Sequence, residues 1–238
     1  MKRSIHKALQ SARAAKRPVA LVTNLETGRQ ALLDGDETPG DLTLGGAVLE
    51  QVRRAIHDNR SATLDGTSLF VHVFNPPLRL IVVGAVHIAQ ALVPMAALAG
   101  YDVTVVDPRR AWASDARFPD VVLVTDWPDD ALKALEPDRR TAVVVLTHDP
   151  KLDDPALDVA LKSPAFYVGA LGSTRTHAKR LARLGEMGLG EDELARIHAP
   201  IGLAVGAKSP SEIAIAILAE VTQVLHGAPP LVRSEAAE

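Results

Sequence analysis

Apolar residues along the chain fall into two patterns that change near residue 78. After that point, short apolar runs rich in β-branched residues alternate with segments of helical character. The runs are Leu80–Val83, Val103–Val106, Val121–Val124, Ala142–Leu146 and Ala165–Val168. Continuously apolar strands separated by helices are typical of a parallel sheet that is covered on both faces. The pattern therefore predicts an α/β fold with helices on both faces of a parallel sheet.

The residues before this point predict a smaller α+β domain. Strand-like runs alternate here with two segments of helical spacing, and turn residues separate them. The predicted strands are Val19–Asn24, Arg29–Leu33 and Leu69–Phe74, and the predicted helices are Ile5–Ala15 and Ala47–Asn59. Two consecutive prolines after the last strand indicate a domain boundary. We expect a small domain over residues 1–77, the sheet domain over 78–227 and a disordered tail over 228–238.

The opening unit of the larger domain, Leu78–Arg109, has the layout of a nucleotide-binding βαβ unit. A strand leads into a turn at Gly84, a helix follows, and the next strand ends at Asp107. In a Rossmann-like sheet the carboxylate at that position binds a ribose hydroxyl. However, Val86 replaces the middle glycine of the G-x-G-x-x-A pattern, where glycine lets a pyrophosphate approach the backbone. NAD binding at this turn is therefore doubtful, and a purely structural role is the open alternative.

Polar residues directly after the Ala142–Leu146 run are candidates for a ligand site. Thr147, His148 and Asp149 supply a hydroxyl, an imidazole and a carboxylate at a strand end. Ligands of open α/β sheets bind at the carboxyl ends of strands, where such groups can act on them. The alternative is that Asp149 caps a turn before Pro150 and that His148 faces solvent.

The turn after the next strand could hold a phosphate. Gly169, Gly172 and Ser173 precede a basic helix that bears Arg175. This arrangement presents backbone N–H groups and a guanidinium to an anion. The alternative is an ordinary strand-to-helix turn in which Ser173 is the N-cap.

A further candidate anion site precedes the last predicted helix. Gly202 and Lys208 lie in a glycine-rich stretch just before the helix start. Ser209 and Glu212, by contrast, are explained by a capping box, in which each side chain bonds to a backbone N–H of the other end of the turn.

Composition excludes several classes of function. The net charge of −3 and the 3% of aromatic residues disfavour nucleic acid as a partner. The 238 residues contain no cysteine, which excludes disulfides, thiolate metal sites and a cysteine nucleophile, and which fits a reducing compartment. No run approaches the roughly 20 apolar residues that span a membrane, and no metal-ligand spacing is present. We expect a cytoplasmic protein with no metal site and no membrane partner.

Five stretches occur in an order that resembles one known family. They are GAVHIAQAL, VTVVDPR, THDPKLDDPAL, YVGALGSTRTHAKRL and PIGLAVGAKSPSEIAIAILAE. Together they resemble the XdhC/CoxI family, the accessory proteins of xanthine dehydrogenase and related molybdenum hydroxylases. The likeness extends over Leu78–Val224. Before it, only the Leu44–Glu50 stretch and its flanking strands are similar to the family's smaller N-terminal domain.

The resemblance implies a protein that binds molybdenum cofactor, assists its sulfuration and delivers it to a xanthine dehydrogenase-type hydroxylase. The implied partners are the apo-hydroxylase and a cysteine desulfurase, with a homodimer left open. The implied cargo is molybdopterin, whose phosphate or dinucleotide pyrophosphate matches the anion-site candidates. Such a chaperone has no catalytic residues, whereas the alternative is an NAD-dependent oxidoreductase with His148 as acid or base. The resemblance implies cofactor binding at Gly84, His87, Asp107, Thr147, His148, Asp149, Gly169, Gly172, Ser173, Arg175, Gly202 and Lys208.

Three departures from the family pattern bear on this interpretation. Val86 stands where the family has a glycine in its G-A-G-H turn. Ala47 stands where many relatives have a cysteine after paired glycines, so a thiol ligand for molybdenum would be missing. The region before the βαβ unit is abbreviated relative to the family's N-terminal domain.

Overall fold

A computed structural model describes residues 2–229, and the contacts within the chain divide it into two units at the Pro76–Pro77 junction. Most of the predicted tail, from Pro230 onward, lies outside the described residues. The N–H of Ala228, the first residue of that predicted tail, donates to the carbonyl of Gln223. No helix within residues 2–229 has the length and apolar composition that a membrane crossing requires.

The first unit is a four-stranded antiparallel sheet with one helix on each face. Its elements are α1 (Arg3–Ala14), β1 (Val19–Asn24), β2 (Gln30–Asp34), α2 (Gly46–His57), β3 (Ala62–Thr63) and β4 (Leu69–Phe74). The strands lie in the order β2-β1-β4-β3. Successive residues of a strand point to opposite faces. Leu21 of β1 therefore packs with Ile5 and Leu9 of α1, while Val22 packs with Val52 of α2.

The second unit is a parallel sheet, as the apolar runs predicted, but it has six strands where five runs were recognised, because Ile197–His198 forms a short sixth strand. Its strands are β5 (Leu78–Val83), β6 (Tyr101–Val106), β7 (Val122–Val124), β8 (Thr141–Val145), β9 (Tyr167–Ala170) and β10 (Ile197–His198). They lie in the order β10-β9-β8-β5-β6-β7, which is the strand order of a Rossmann sheet. The predicted α/β class with a Rossmann-like parallel sheet is confirmed.

Helices cover both faces of this sheet. They are α3 (His87–Leu98), α4 (Pro128–Leu135), α5 (Pro150–Lys162), α6 (Thr174–Glu186), α7 (Glu191–Leu194) and α8 (Pro210–Leu225). Around Leu92 and Ile217, α3 and α8 pack on one face, whereas α4, α5 and α6 pack on the other face around Leu132 and Leu157. Because α3 leaves β5 toward one face and α5 leaves β8 toward the other, a crevice opens at the carboxyl ends of these neighbouring strands.

The boundaries of β9 differ from the sequence-based prediction, and the difference moves a candidate residue. The apolar run predicted a strand at Ala165–Val168, but Tyr167 is the residue that pairs with Ala142 of β8. An apolar run shows that a strand exists but does not define its register, which depends on the neighbouring strand. Gly169 therefore lies inside β9, whereas the sequence had placed it in the turn that follows.

The start of α5 also differs from the prediction. The sequence predicted a helix over Pro155–Leu161, yet α5 begins at Pro150, directly after the cap residue Asp149. Proline is well tolerated at the first helical position, where its missing N–H costs nothing. The helix also continues through Pro155, which gives up one backbone hydrogen bond there. As a result α5 starts at the carboxyl edge of the sheet.

Gly202→Ala is expected to destabilise the second unit by about 2–3 kcal/mol, because the position combines strain with close packing. Gly202 has φ of +92°, and an added Cβ would lie 3.0 Å from the backbone carbon of Ala216 and the nitrogen of Ile217 in α8. Urea unfolding measures the loss. Gly206 is the matched control, since it has φ of +77° but open space around its Cα, and Gly206→Ala should cost only about 1 kcal/mol. Equal losses for the two variants would contradict the role of close packing.

Candidate functional site

The crevice between β5 and β8 is closed at its base by a contact between two turns. Gly84 follows β5 with φ of +110°, and its N–H donates to the carbonyl of Val106 at 2.8 Å. A Cβ added to Gly84 would lie 2.7 Å from Cγ2 of Thr147, which follows β8. Since only glycine combines this backbone conformation with such a close approach, Gly84 lets the two turns pack directly against each other.

Asp107, at the end of β6, is fully buried and uses both carboxylate oxygens within the protein. Oδ2 accepts from the N–H of Ala85 at 2.8 Å and from Nη2 of Arg109 at 2.7 Å, while Oδ1 accepts from the N–H and Nε of Arg109. Burial alone would raise the pKa of Asp107, but the hydrogen bonds from Arg109 and Ala85 together hold that pKa below its ordinary value. The carboxylate therefore fixes the turn after β5, and its oxygens are already engaged where a ribose hydroxyl would bind.

The turn after β5 places the exposed His87 near one aromatic side chain, which is itself contacted by two arginines. Val86 is the N-cap of α3 with an extended φ of −87°, so its backbone does not need the freedom of glycine. The ring of the exposed His87 lies 6.5 Å from that of Trp112. The guanidinium groups of Arg109 and Arg117 lie 5.3 Å and 5.2 Å from the Trp112 ring centre. This grouping was not predicted, because Trp112 stands in no recognisable motif.

The stretch Thr147-His148-Asp149 contains two residues that hold the turn and one that is exposed. The hydroxyl of Thr147 donates to the buried carboxylate of Asp153 and accepts from the N–H of Asp149 at 3.1 Å. Asp149 caps α5 by accepting from the N–H of Lys151 at 3.0 Å. His148 is exposed and has φ of +69°. Asp149 is therefore a cap, although it caps a helix where the alternative stated a turn. The exposure of His148 fits the solvent-facing alternative and also leaves its ring accessible to a ligand.

A basic cavity of about 290 Å³ opens beside this turn, between α5 and α6. It is lined by His148, Pro150, Asp153, Arg175, Thr176, Lys179, Arg180 and Arg183. Asp153 is the single acidic residue of this lining. Burial raises its pKa by more than the Thr147 hydrogen bond and the charges of Arg180 and His148 lower it. The positive lining makes this cavity, which we call the α5–α6 cavity, suited to an anion.

The turn before α6 is both a helix cap and part of the cavity edge. Ser173 Oγ accepts from the N–H of Thr176 at 3.2 Å, as the N-cap alternative predicted. Arg175, in the first turn of α6, is exposed and lines the α5–α6 cavity. Gly172 packs closely here, since an added Cβ would lie 3.1 Å from Cγ2 of Thr176. Capping by Ser173 therefore leaves the Arg175 side chain available to a ligand.

Gly202 and Gly169 belong to a separate polar cluster on the α3–α8 face of the sheet. Glu220 Oε2 accepts from the Tyr167 hydroxyl at 2.5 Å and from the N–H of Gly202 at 2.7 Å, while Oε1 lies 3.3 Å from Nδ1 of His198. The rings of Tyr167 and His198 stack at 4.6 Å, and a Cβ on Gly169 would lie 2.6 Å from the Tyr167 hydroxyl. The sequence offered one signal, since Glu220 is the single carboxylate in the apolar stretch Ile213–Leu225.

The carboxyl edge of the sheet thus brings together many of the predicted site residues, but not all of them. Those gathered there are Gly84, His87, Asp107, Thr147, His148, Asp149, Gly172, Ser173 and Arg175. Lys208 lies outside this group, and its N–H donates to Glu212 Oε2 at 2.8 Å beside the capping box of α8. Within residues 2–229, no three His, Asp or Glu side chains are grouped so that they could hold a metal ion.

Comparison with protein families matches residues 80–221 to the XdhC Rossmann domain. The chain belongs to the XdhC family. The match begins in β5 and ends in α8, so it includes every turn at the carboxyl edge of this XdhC domain. The resemblance inferred from the five sequence stretches is therefore confirmed.

Three curated relatives of this XdhC chain come from two bacteria. An uncharacterized protein of Escherichia coli K12, YqeB, is 36% identical over 68% of this chain and 30% of its own length. The molybdenum cofactor insertion chaperone PaoD from the same organism is 36% identical over 64% of this chain and 42% of its own length. A probable subunit of xanthine dehydrogenase from Bacillus subtilis is 31% identical over 74% of this chain and 52% of its own length.

A solved structure extends the similarity to both units of the XdhC chain. A crystal structure described as a xanthine dehydrogenase from Bacillus halodurans has a TM-score of 0.69 and 26% identity to it. That similarity covers 98% of this chain and 65% of the other. The chain therefore spans between about a third and two thirds of the length of these relatives.

Glu220→Gln is expected to destabilise the XdhC domain by about 1–3 kcal/mol at pH 7, because three donors meet its carboxylate. Burial would raise the Glu220 pKa, but the hydrogen bonds from His198, Tyr167 and Gly202 lower it below the ordinary 4.5. The contribution is therefore present above pH 4.5 and is lost as the pH falls through the folded-state pKa.

Urea unfolding of wild type and Glu220→Gln over a series of pH values measures this contribution, and the difference should narrow below pH 4.5. Glu186→Gln is the control, since Glu186 is exposed at the end of α6. A difference between wild type and Glu220→Gln that stays constant with pH would show that the variant acts through packing and not through charge.

Proposed function

We propose that this chain binds molybdenum cofactor and delivers it to a xanthine dehydrogenase-type molybdenum hydroxylase. The observation that carries the proposal is a cavity with a mainly basic lining at the carboxyl edge of an XdhC Rossmann domain. The name of the relative PaoD, a molybdenum cofactor insertion chaperone, supports the same role. In this role the chain needs no catalytic residue, because it binds the cofactor and transfers it without changing it chemically.

The residues at the carboxyl edge fit the anionic part of such a cofactor. Molybdopterin carries a phosphate, and the guanidinium of Arg180 is buried with two nitrogens, Nε and Nη1, that have no acceptor within residues 2–229. Arg175 and His148 line the same cavity from exposed positions. On the other side of Gly84, His87 lies beside Trp112 and could contact the remainder of the ligand.

The fixed parts of the edge keep these groups in place. Asp107 holds Arg109 and the turn after β5, and the Thr147–Asp153 hydrogen bond holds the turn that carries His148. When bound, the cofactor supplies the molybdenum centre that the receiving hydroxylase uses for its reaction. This chain's own side chains bind the anionic group, orient the ligand and screen it from solvent.

We extend the proposal to sulfuration of the bound cofactor. These 238 residues contain no thiol, so they offer neither a persulfide carrier nor a thiolate ligand to molybdenum. The sulfur carrier would then have to be a cysteine desulfurase docked on the chain, in the reducing cytoplasm. A homodimer is compatible with this role, and its presence can be measured by light scattering.

Two features of the site argue against the NAD-dependent alternative. Both oxygens of Asp107 are engaged by Ala85 and Arg109, and Val86 occupies the position where glycine admits a pyrophosphate. A calorimetric titration with NAD is expected to show no binding, and saturable binding would reinstate this alternative.

The purified chain is expected to bind close to one equivalent of molybdenum cofactor, and His148→Ala combined with Arg175→Met should weaken binding by about tenfold or more. Bound cofactor can be quantified by the fluorescence of its oxidised pterin after gel filtration. The matched control is His57→Ala with Arg60→Met, which removes the same residue types from exposed positions of the first unit. Failure of the wild type to bind either the mononucleotide or the dinucleotide form would refute the proposal.

A further inference from the structure

Arg180 is the most deeply buried cation at the carboxyl edge, and its hydrogen bonding is incomplete. Its side chain is 1% exposed. Nη2 donates to the carbonyl of Leu171 at 2.7 Å and lies 3.6 Å from Oδ2 of Asp153. Nε and Nη1 are buried and have no acceptor within residues 2–229. A guanidinium has five N–H donors, so most of the donors of Arg180 remain to be satisfied.

Within residues 2–229, no carboxylate accepts a hydrogen bond from Arg180. Asp153 lies 3.6 Å from Nη2, and its Oδ1 accepts from the Thr147 hydroxyl. Asp154, the other buried acid of α5, is already used by Arg183, whose Nε and Nη2 donate to it at 2.5 Å and 2.9 Å. A buried charge that lacks both a full partner and its hydrogen bonds is costly. A negatively charged group in the α5–α6 cavity, which Arg180 lines, would offset this buried charge.

Two exposed cations extend the positive charge of Arg180 toward solvent. Arg175 and Lys179 are one helical turn apart on α6, so they project from the same face, and both line the α5–α6 cavity. Arg183 lines it too but is occupied by Asp154. Together Arg175, Lys179 and Arg180 provide three positive charges, which favours a dianion over a monoanion.

The volume of the cavity limits what can enter. At about 290 Å³, it lies just below the roughly 300–1,000 Å³ of sites that enclose a whole drug-sized ligand. It therefore suits a compact charged group, with the rest of the ligand outside. Because Arg180 lies at the buried side of the cavity, a terminal phosphate fits better than a bridging phosphate, whose second substituent would have to continue through the cavity.

We propose that the α5–α6 cavity is a phosphomonoester-binding site in which Arg180 is the buried anchor and Arg175 and Lys179 are the exposed clamps. Under the proposed function, the group bound in this cavity is the terminal phosphate of mononucleotide molybdopterin. That identification of the ligand rests on the proposed function. The chemistry of the site, in contrast, stands on the side chains alone.

The test uses inorganic phosphate on the full chain, with ionic strength held constant by sodium chloride. Phosphate should raise the melting temperature saturably, because a ligand that binds only the folded state stabilises it. Dimethyl phosphate, a monoanionic diester, should be at least about tenfold weaker. Phosphate stabilisation no greater than that of chloride, or equal stabilisation by the diester, would overturn the proposal.

Two variants assign the effect to this cavity. Arg175→Met with Lys179→Met should lower phosphate affinity by about tenfold or more, and both positions are exposed, so folding is preserved. Lys133→Met with Lys162→Met is the charge-matched control, since both lysines have exposed side chains and pair with half-buried aspartates outside the cavity lining in the same unit. Unchanged affinity in the first pair would overturn the site.

Arg180→Lys keeps the charge but loses the planar fork, so it should bind phosphate about tenfold more weakly than wild type. If Arg180→Lys fails to fold, the exposed pair decides the question alone. The wild type could bind phosphate but no molybdenum cofactor, with phosphate binding lost in the Arg175→Met, Lys179→Met variant. That result would support this site and refute the proposed function. If the Arg175→Met, Lys179→Met variant instead binds molybdenum cofactor as tightly as the wild type, the proposed function is supported and the assignment of the cavity to the phosphate of the cofactor is overturned.

Discussion

The contact between Gly84 and Thr147 is the constraint on which the carboxyl edge depends. It sets how closely the turns after β5 and β8 approach each other, and a single added carbon at Gly84 would meet Thr147 Cγ2 at 2.7 Å. Thr147 in turn donates to Asp153, and Asp153 faces Arg180. The position of the buried guanidinium therefore depends, through two side chains, on the absence of a side chain at residue 84.

The parts of this architecture that rest on local chemistry could be predicted from the sequence. Continuous apolar runs are required of strands buried on both faces, so β5 and β8 were predicted to within a few residues. Helix caps are equally local. Ser173 caps α6 as the N-cap alternative stated, whereas Asp149, which was expected to cap only a turn, caps α5. Because parallel strands end at one edge, the turns after β8 and β9 could also be expected to lie together.

The parts that rest on tertiary packing could not be predicted in the same way. Helix α6 carries four cations, and its sequence does not show that Arg180 turns inward while Arg175 stays exposed. That difference arises from the face that α6 presents to α5. The register of β9 was likewise settled by its pairing with β8, which moved Gly169 from a turn into a strand. Partners distant in sequence, such as Tyr167 and Glu220, leave no local pattern.

The pair formed by Arg183 and Asp154 has a consequence for how a ligand would leave. It clamps α5 to α6 with two charge-assisted hydrogen bonds beside the α5–α6 cavity. A site held rigid in this way loses little conformational entropy when a ligand binds. The same rigidity supplies no moving part to expel the ligand. If the chain delivers molybdenum cofactor as proposed, the direction of transfer would be set by the higher affinity of the receiving hydroxylase and not by a conformational change in this chain.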